Sequence, residues 1–292
     1  METITAISAS QHTENSGEPD NPDVILEPAS SFWSWRVFRE VWTHRELLYF
    51  LVWRDLKVRY KQTALGVAWV VLQPLVMTII FTIVFGRVVL VPTKGIPYPL
   101  FAYSGLVLWT FFSGAVSVTS NCLVANAHLI TKVYFPRFII PMASTLGRLV
   151  DLGVSLVILI GLMLVYRIPF GPHLAMVPLI LALLTLFGLG FGLWTSAVNV
   201  KYRDVGLALP VLIQLWMFAS PVVYPLSQVP PRWQKFFSIN PLVGILENFR
   251  SALFGTAFNL SALMLSAAII LILLVYGAYS FHHREKAFAD II

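Results

Sequence analysis

Residues 168–200 read IPFGPHLAMVPLILALLTLFGLGFGLWTSAVNV, without a single Asp, Glu, Lys or Arg. A bilayer core of roughly 30 Å is crossed by about 20 apolar residues in a helix, and this stretch is longer than that. Inside lipid, backbone N–H and C=O groups must be satisfied within the protein, so such a run is expected to be helical. Working outward, residues 65–86, 95–131, 205–231 and 251–281 are equally free of charge. Soluble domains do not contain five such runs. The chain is therefore expected to be an all-α integral membrane protein, active in transport or in membrane-embedded chemistry.

Composition agrees. Of 292 residues, 58% are hydrophobic and 12% charged, which suits one polytopic domain with little soluble mass. Cys122 is the only cysteine, so neither an intrachain disulfide nor a thiolate zinc site is expected. The net charge of +6 points to cytoplasmic loops and lipid phosphates rather than nucleic acid. Residues 1–30 are polar and lack the apolar core of a secretory signal.

Six spanning helices are predicted, roughly at 65–89, 99–122, 140–166, 174–200, 207–224 and 260–282. With the N-terminus inside, thirteen basic residues face the cytoplasm: seven from Arg36 to Lys61, then Lys132, Arg137, Lys201, Arg203, Arg284 and Lys286. Six lie outside: Arg87, Lys94, Arg167, Arg232, Lys235 and Arg250. That asymmetry predicts both termini inside. The third span is interrupted by Arg148 and Asp151, which at i, i+3 can pair on one helix face. The pair reads either as a neutralised pair near the cytoplasmic end or as a polar latch facing a partner subunit or the pathway.

Four regions flank or interrupt the spans. Residues 1–31 carry six acids and no Lys or Arg, and read as a disordered acidic cytoplasmic tail. Residues 32–64 interleave Trp33, Trp35, Phe38 and Trp42 with arginines and read as an amphipathic interfacial segment. Residues 283–292 form a cytoplasmic tail after the six-helix domain, 65–282. Residues 227–259 hold two pieces too short to cross. Pro230-Pro231 starts one. Asn240-Pro241 starts the other, and Gly255 stops it. If 282 onward is inside, both pieces stay on the outer side, as a re-entrant helical hairpin. Such backbone is tolerated only where protein or water surrounds it, so the hairpin belongs to a pathway.

Residues 50–66, FLVWRDLKVRYKQTALG, followed by Trp69 and Gln73-Pro74, resemble the N-terminal signature of polysaccharide-export permeases. These are the membrane subunits of bacterial type-2 ABC exporters for O-antigen, capsule and teichoic-acid chains. Residues 132–137 (KVYFPR) with Pro141 are similar to the family's element after the second helix. Residues 199–205 (NVKYRDV) resemble its loop between helices four and five. Residues 220–225 (SPVVYP), 240–242 (NPL) and 247–250 (ENFR) resemble its outer re-entrant region.

The resemblance implies a homodimer in the bacterial inner membrane with two copies of a separate nucleotide-binding ATPase. ATP and Mg²⁺ would be bound by that partner. The residues require something similar. The chain has no G-x-x-x-x-G-K-[ST] loop, and Asp151 is the only acid within a predicted span. A transporter without its own energy-coupling site must borrow one, and six helices are few to enclose a wide conduit alone. No cofactor or metal is expected in this chain, and it is expected to be a transport subunit rather than an enzyme.

Candidate residues follow. Lys201, Tyr202, Arg203 and Asp204 form a compact charged loop, read either as a solvated loop or as an element docking in the ATPase. Lys132 and Arg137 are further ATPase-facing candidates. Arg54, Lys57, Arg59 and Lys61 would attract anionic lipid, or recognise the pyrophosphate joining a glycan to its lipid carrier. Trp69, Trp109, Phe111, Phe112, Trp194, Trp216 and Phe218 lie within predicted spans and offer faces for sugar rings. Glu247 and Arg250, at i, i+3, with Trp233 nearby, would form an outer gate. The expected function is export of lipid-linked, O-antigen-like polysaccharide. The rivals are a small-molecule exporter of the same class and a membrane-embedded glycan polymerase or ligase. Against the last, no large outer loop carries an Asp/Glu/His/Arg constellation.

Overall fold

The chain folds around one central helix. A computed structural model describes residues 39, 41–61, 66, 68–93, 95–132 and 135–291, with side chains as far as Glu285. The acidic tail, the aromatic start of the interfacial segment and Lys94 lie outside the described residues. The elements in chain order are α1 (Arg45–Lys61), α2 (Ala68–Phe81, widening into π turns over Thr82–Val88), α3 (Tyr98–Ala125) and α4 (Ala127–Lys132). They continue with α5 (Ile139–Val165), a 3-10 turn (Pro172–Met176), α6 (Val177–Lys201), α7 (Asp204–Phe218), α8 (Pro231–Phe237), α9 (Pro241–Phe254) and α10 (Leu260–Ile291). No strand occurs among the described residues.

Among the described residues, five helices are long and apolar enough to cross a membrane: Ala68–Val88, Tyr98–Ala125, Ile139–Val165, Pro172–Lys201 and Leu260–Glu285. The stretch expected as a sixth span, 207–224, is helical only as the 15-residue α7. At 1.5 Å per residue α7 is about 22 Å long, short of a roughly 30 Å core. It stops because Pro221 disfavours helical backbone at Ser220, and turns carry the chain through 219–224. At the other end, α10 runs past His282 to Ile291, since no Gly or Pro follows His282 in it.

Helix α3 is the most buried span and packs against α5 and α6, while α6 packs against α10. Small residues set these distances. A Cβ at Gly190 of α6 would stand 2.8 Å from Leu274 Cα of α10. One at Gly192 would stand 2.6 Å from Thr119 Cγ2 of α3. In lipid there is no hydrophobic drive between helices, so close van der Waals contact of this kind carries much of the association. Below this core, Leu51 of α1 joins Cys122, Ile140, Leu193 and Phe281 in a second apolar cluster.

Helix α9 begins and ends at the signals read from its sequence. Asn240 Oδ1 accepts from Leu242 N at 3.1 Å, Pro241 takes the first position, and Gly255 closes the helix at φ 66°. Every α9 residue except Glu247 and Phe254 is buried. Asn248 ties α9 to the start of α10: its Nδ2 donates to Asn259 O at 3.0 Å, and Asn259 N donates back to its Oδ1 at 3.0 Å.

Candidate functional site

A groove lies between α2 and α7 with α3 as its floor. It encloses a cavity of about 430 Å³ lined by Gln73 and Met77 of α2, Trp109, Thr110, Ser113 and Ser117 of α3, Arg148 of α5, and Ile213, Gln214 and Met217 of α7. A second cavity of about 210 Å³ is lined by Arg59, Tyr60, Gly66, Trp69, Phe111, Asp151 and Ser155. Gln73, Thr110 and Arg148 line both, so the two adjoin. Amides, hydroxyls and a guanidinium along apolar helices are costly in lipid, and so belong on an interior or water-filled face.

The lower cavity holds a four-residue cluster. Asp151 Oδ2 accepts from Arg59 Nη1 at 2.9 Å and from Arg148 Nη1 at 3.0 Å. The Tyr60 hydroxyl donates to Asp151 Oδ1. The pairing of Arg148 with Asp151 was legible from their i, i+3 spacing. The donors from α1 were not, because they arrive from 91 and 92 residues away. Burial, reinforced by the hydrogen bond to the Asp151 carboxylate, pushes the Tyr60 hydroxyl up to about 12.

The other basic residues of α1 are placed differently. Arg54 Nη2 donates to Asp55 Oδ1 and to Asn126 Oδ1, each at 2.8 Å, tying α1 to the end of α3. Lys57 and Lys61 are exposed. In the charged loop, Lys201, Tyr202, Arg203 and Asp204 are all exposed, with Lys201 Nζ 5.1 Å from the Tyr202 ring centre. Lys132 is exposed too, whereas Arg137 is half-buried and donates to the Glu285 carbonyl.

Below that loop sits Asn199, the first residue of the segment 199–205, whose own role the sequence did not single out. It is 3% exposed. Its Nδ2 donates to Ser120 O at 3.0 Å and to Asn121 Oδ1 at 3.1 Å, and its Oδ1 accepts from Gly206 N at 2.9 Å. One side chain thus clamps α6, the start of α7 and α3 together.

The aromatics divide. Phe112 is fully buried, stacked on Phe187 at 4.5 Å with Trp216 edge-on at 5.4 Å. Trp194 packs on Phe191 at 5.5 Å. These rings knit α3, α6 and α7. Trp109 and Phe111 line the cavities despite their burial, and Trp69 and Phe218 are more than half exposed on α2 and α7.

At the other end, Arg250 is buried. It donates to the carbonyls of Pro221 at 2.8 Å, Val222, and Phe101 at 3.4 Å, with its Cζ 3.7 Å from the Phe101 ring centre. The guanidinium's hydrogen bonds therefore go to the turn after α7 and the start of α3. Trp233 is exposed on α8, with Arg232 over its ring at 5.9 Å.

Comparison with known proteins decides the family. The profile described as ABC-2 type transporter matches residues 46–254, most of the chain. The chain belongs to the ABC-2 type transporter family. This ABC-2 permease is 30% identical over 265 residues to the O-antigen export system permease protein RfbA of Myxococcus xanthus, covering 88% of this chain and 99% of that protein. It is 26% identical to the polysialic acid transport protein KpsM of Escherichia coli, over 80% of this chain and 92% of that one. It is 23% identical to the capsule polysaccharide export inner-membrane protein CtrC of Neisseria meningitidis, over 70% and 78%. As a member of this family the chain is a transport subunit, not an enzyme, and the family implies an ATPase partner.

Proposed function

We propose that this ABC-2 permease exports lipid-linked polysaccharide, O-antigen-like, from the cytoplasmic to the outer side of the bacterial inner membrane. Two copies face each other through α2 and α7, and ATP with Mg²⁺ is bound and hydrolysed by two copies of a separate subunit. The observation that carries this is the groove of about 430 Å³ between α2 and α7, with Gln73, Ser113, Ser117 and Gln214 along it. Its flanking helices also present exposed apolar side chains, such as Ile80, Ile83, Leu212 and Leu215. Hydroxyls and amides offer a polymer many weak contacts, and Trp69, Trp109, Phe111 and Phe218 offer apolar faces to sugar rings. Such a surface permits sliding.

In this reading α1 lies at the cytoplasmic interface, where Arg54, Lys57, Arg59 and Lys61 attract the anionic lipid end of the substrate. The loop 201–204 and Lys132 meet the ATPase, and the buried α9 with α8 forms a re-entrant outer gate around Glu247, Arg250 and Trp233. Deleting the gene for the chain should remove glycan from the cell surface and leave lipid-linked glycan on the cytoplasmic side, with rescue by the wild-type copy. Surface glycan unchanged by deletion, together with ATPase stimulation by small amphiphiles instead, would assign the chain to small-molecule export.

A further inference from the structure

The Asp151 carboxylate has three donors and is outnumbered in charge. Arg59 and Arg148 bring two guanidinium groups to one carboxylate, at 2.9 and 3.0 Å, and Tyr60 adds a neutral donor. Among the described residues no second acid lines the cavity beside them, and Lys57 and Lys61 lie on the same α1. Arg148 Nε is buried and has no hydrogen-bond acceptor among the described residues. The guanidinium rests along α3, its Cζ 3.4 Å from where a Gly114 Cβ would stand. It therefore lines both cavities while one of its donors is unused. A carboxylate fills such a site poorly. A phosphate brings more negative charge and more acceptor oxygens, and arginine's planar fork matches it with paired hydrogen bonds.

We propose that Arg59, Tyr60 and Arg148 form a binding site for a phosphate group at the head of a membrane amphiphile, with Asp151 as a built-in occupant that the phosphate displaces. This deepens the export reading and rests on it. The exchange has a mechanical consequence. Arg59–Asp151 is an ionic tie between α1 and α5, and phosphate binding breaks it. Substrate arrival therefore replaces the direct Arg59–Asp151 tie with a bridge in which the phosphate joins Arg59 of α1 to Arg148 of α5, and releases the Asp151 carboxylate. The shared chemistry is a phosphate or pyrophosphate oxyanion, supplied either by a polyprenyl carrier or by bulk anionic phospholipid.

The test is direct binding to the full chain in lipid nanodiscs, with farnesyl pyrophosphate as probe. Asp151→Asn removes the competing charge and should bind the probe about tenfold tighter than wild type. Arg148→Gln and Arg59→Gln should bind it at least about tenfold more weakly. A merely structural Asp151 predicts the opposite sign, because loosening the cluster would weaken binding. If Asp151→Asn does not fold, Tyr60→Phe keeps both guanidiniums and should weaken binding by about twofold to tenfold. Probe binding that persists in phosphatidylglycerol discs assigns the site to the pyrophosphate carrier. Probe binding seen only in phosphatidylcholine discs assigns it to bulk phospholipid. Equal affinity of the wild type and the variants that fold would overturn the site, while glycan export in the same cells would leave the export reading standing. Tighter binding by Asp151→Asn in cells that export no glycan would overturn the export reading and keep the site.

Discussion

Asn199→Leu should unfasten the charged loop from the transmembrane core while leaving the helices in place. Leucine keeps the branching at Cγ, with bulkier methyl groups, and has neither donor nor acceptor; what goes is three hydrogen bonds at 2.9–3.1 Å. The bond from Gly206 N acts as a remote N-cap for α7, which Arg203 does not cap with its own side chain. Losing a cap costs about 1 kcal/mol, and each of two buried neutral hydrogen bonds costs about 1 kcal/mol more. The sum is about 3 kcal/mol, a factor of about 150 in a local opening equilibrium. Hydrogen exchange by mass spectrometry should therefore show amides over 202–206 exchanging up to about 150-fold faster, with α3 and α10 protected as before. Asn121→Ala removes only one of the three bonds and should speed exchange by less than about tenfold. If the loop docks on the ATPase, Asn199→Leu should also uncouple ATP hydrolysis from export. Unchanged exchange at 202–206 in Asn199→Leu would refute the clamp, and equal effects of both variants would refute the magnitudes.

Other outcomes follow from the same geometry. Gly192→Val should reduce protein abundance, since even a Cβ there would stand 2.6 Å from Thr119 Cγ2 and overpacking costs about 1–3 kcal/mol or more; normal expression and melting temperature would show that α3 and α6 can separate. Arg250→Met should lower the melting temperature in detergent more than Glu247→Gln does, because it leaves the Pro221 and Val222 carbonyls without their donor. The Tyr60 hydroxyl, ordinarily near 10 and here at about 12, stays protonated through neutral pH. Its raised value favours the folded state below about 10, and that contribution declines as pH rises from about 10 toward 12. Wild-type stability should thus fall faster than that of Tyr60→Phe across that window in a thermal-melt series. Cysteines placed at Arg167 and Lys235 in a Cys122→Ser background should react with an impermeant thiol reagent in intact cells, and those at Lys201 and Arg284 should not. Labelling at 201 from outside would reverse the orientation and separate the loop from any ATPase.

Lipid makes much of this protein legible in one dimension. Four of the five charge-free runs carry spans, whereas 205–231 yields only the short α7, and α5 spans although Arg148 and Asp151 interrupt it. The ends of α9 were legible too, because Asn240-Pro241 and Gly255 act through local backbone geometry. Local steric rules also cut α7 short at Pro221, although apolar count alone had suggested a full span. The candidate site is a different matter. Arg148 and Asp151 could be paired from their spacing because a helix fixes i, i+3 neighbours. That Arg59 and Tyr60 join them depends on how α1 lies against α5. Asn199 gave no sign of its three partners, and Arg250 had a plausible i, i+3 neighbour in Glu247 yet bonds to carbonyls beyond α7. Periodicity records which face of a helix is apolar. Only packing, set here by the contacts that Gly190 and Gly192 allow, decides which polar atoms from distant helices come within hydrogen-bonding reach.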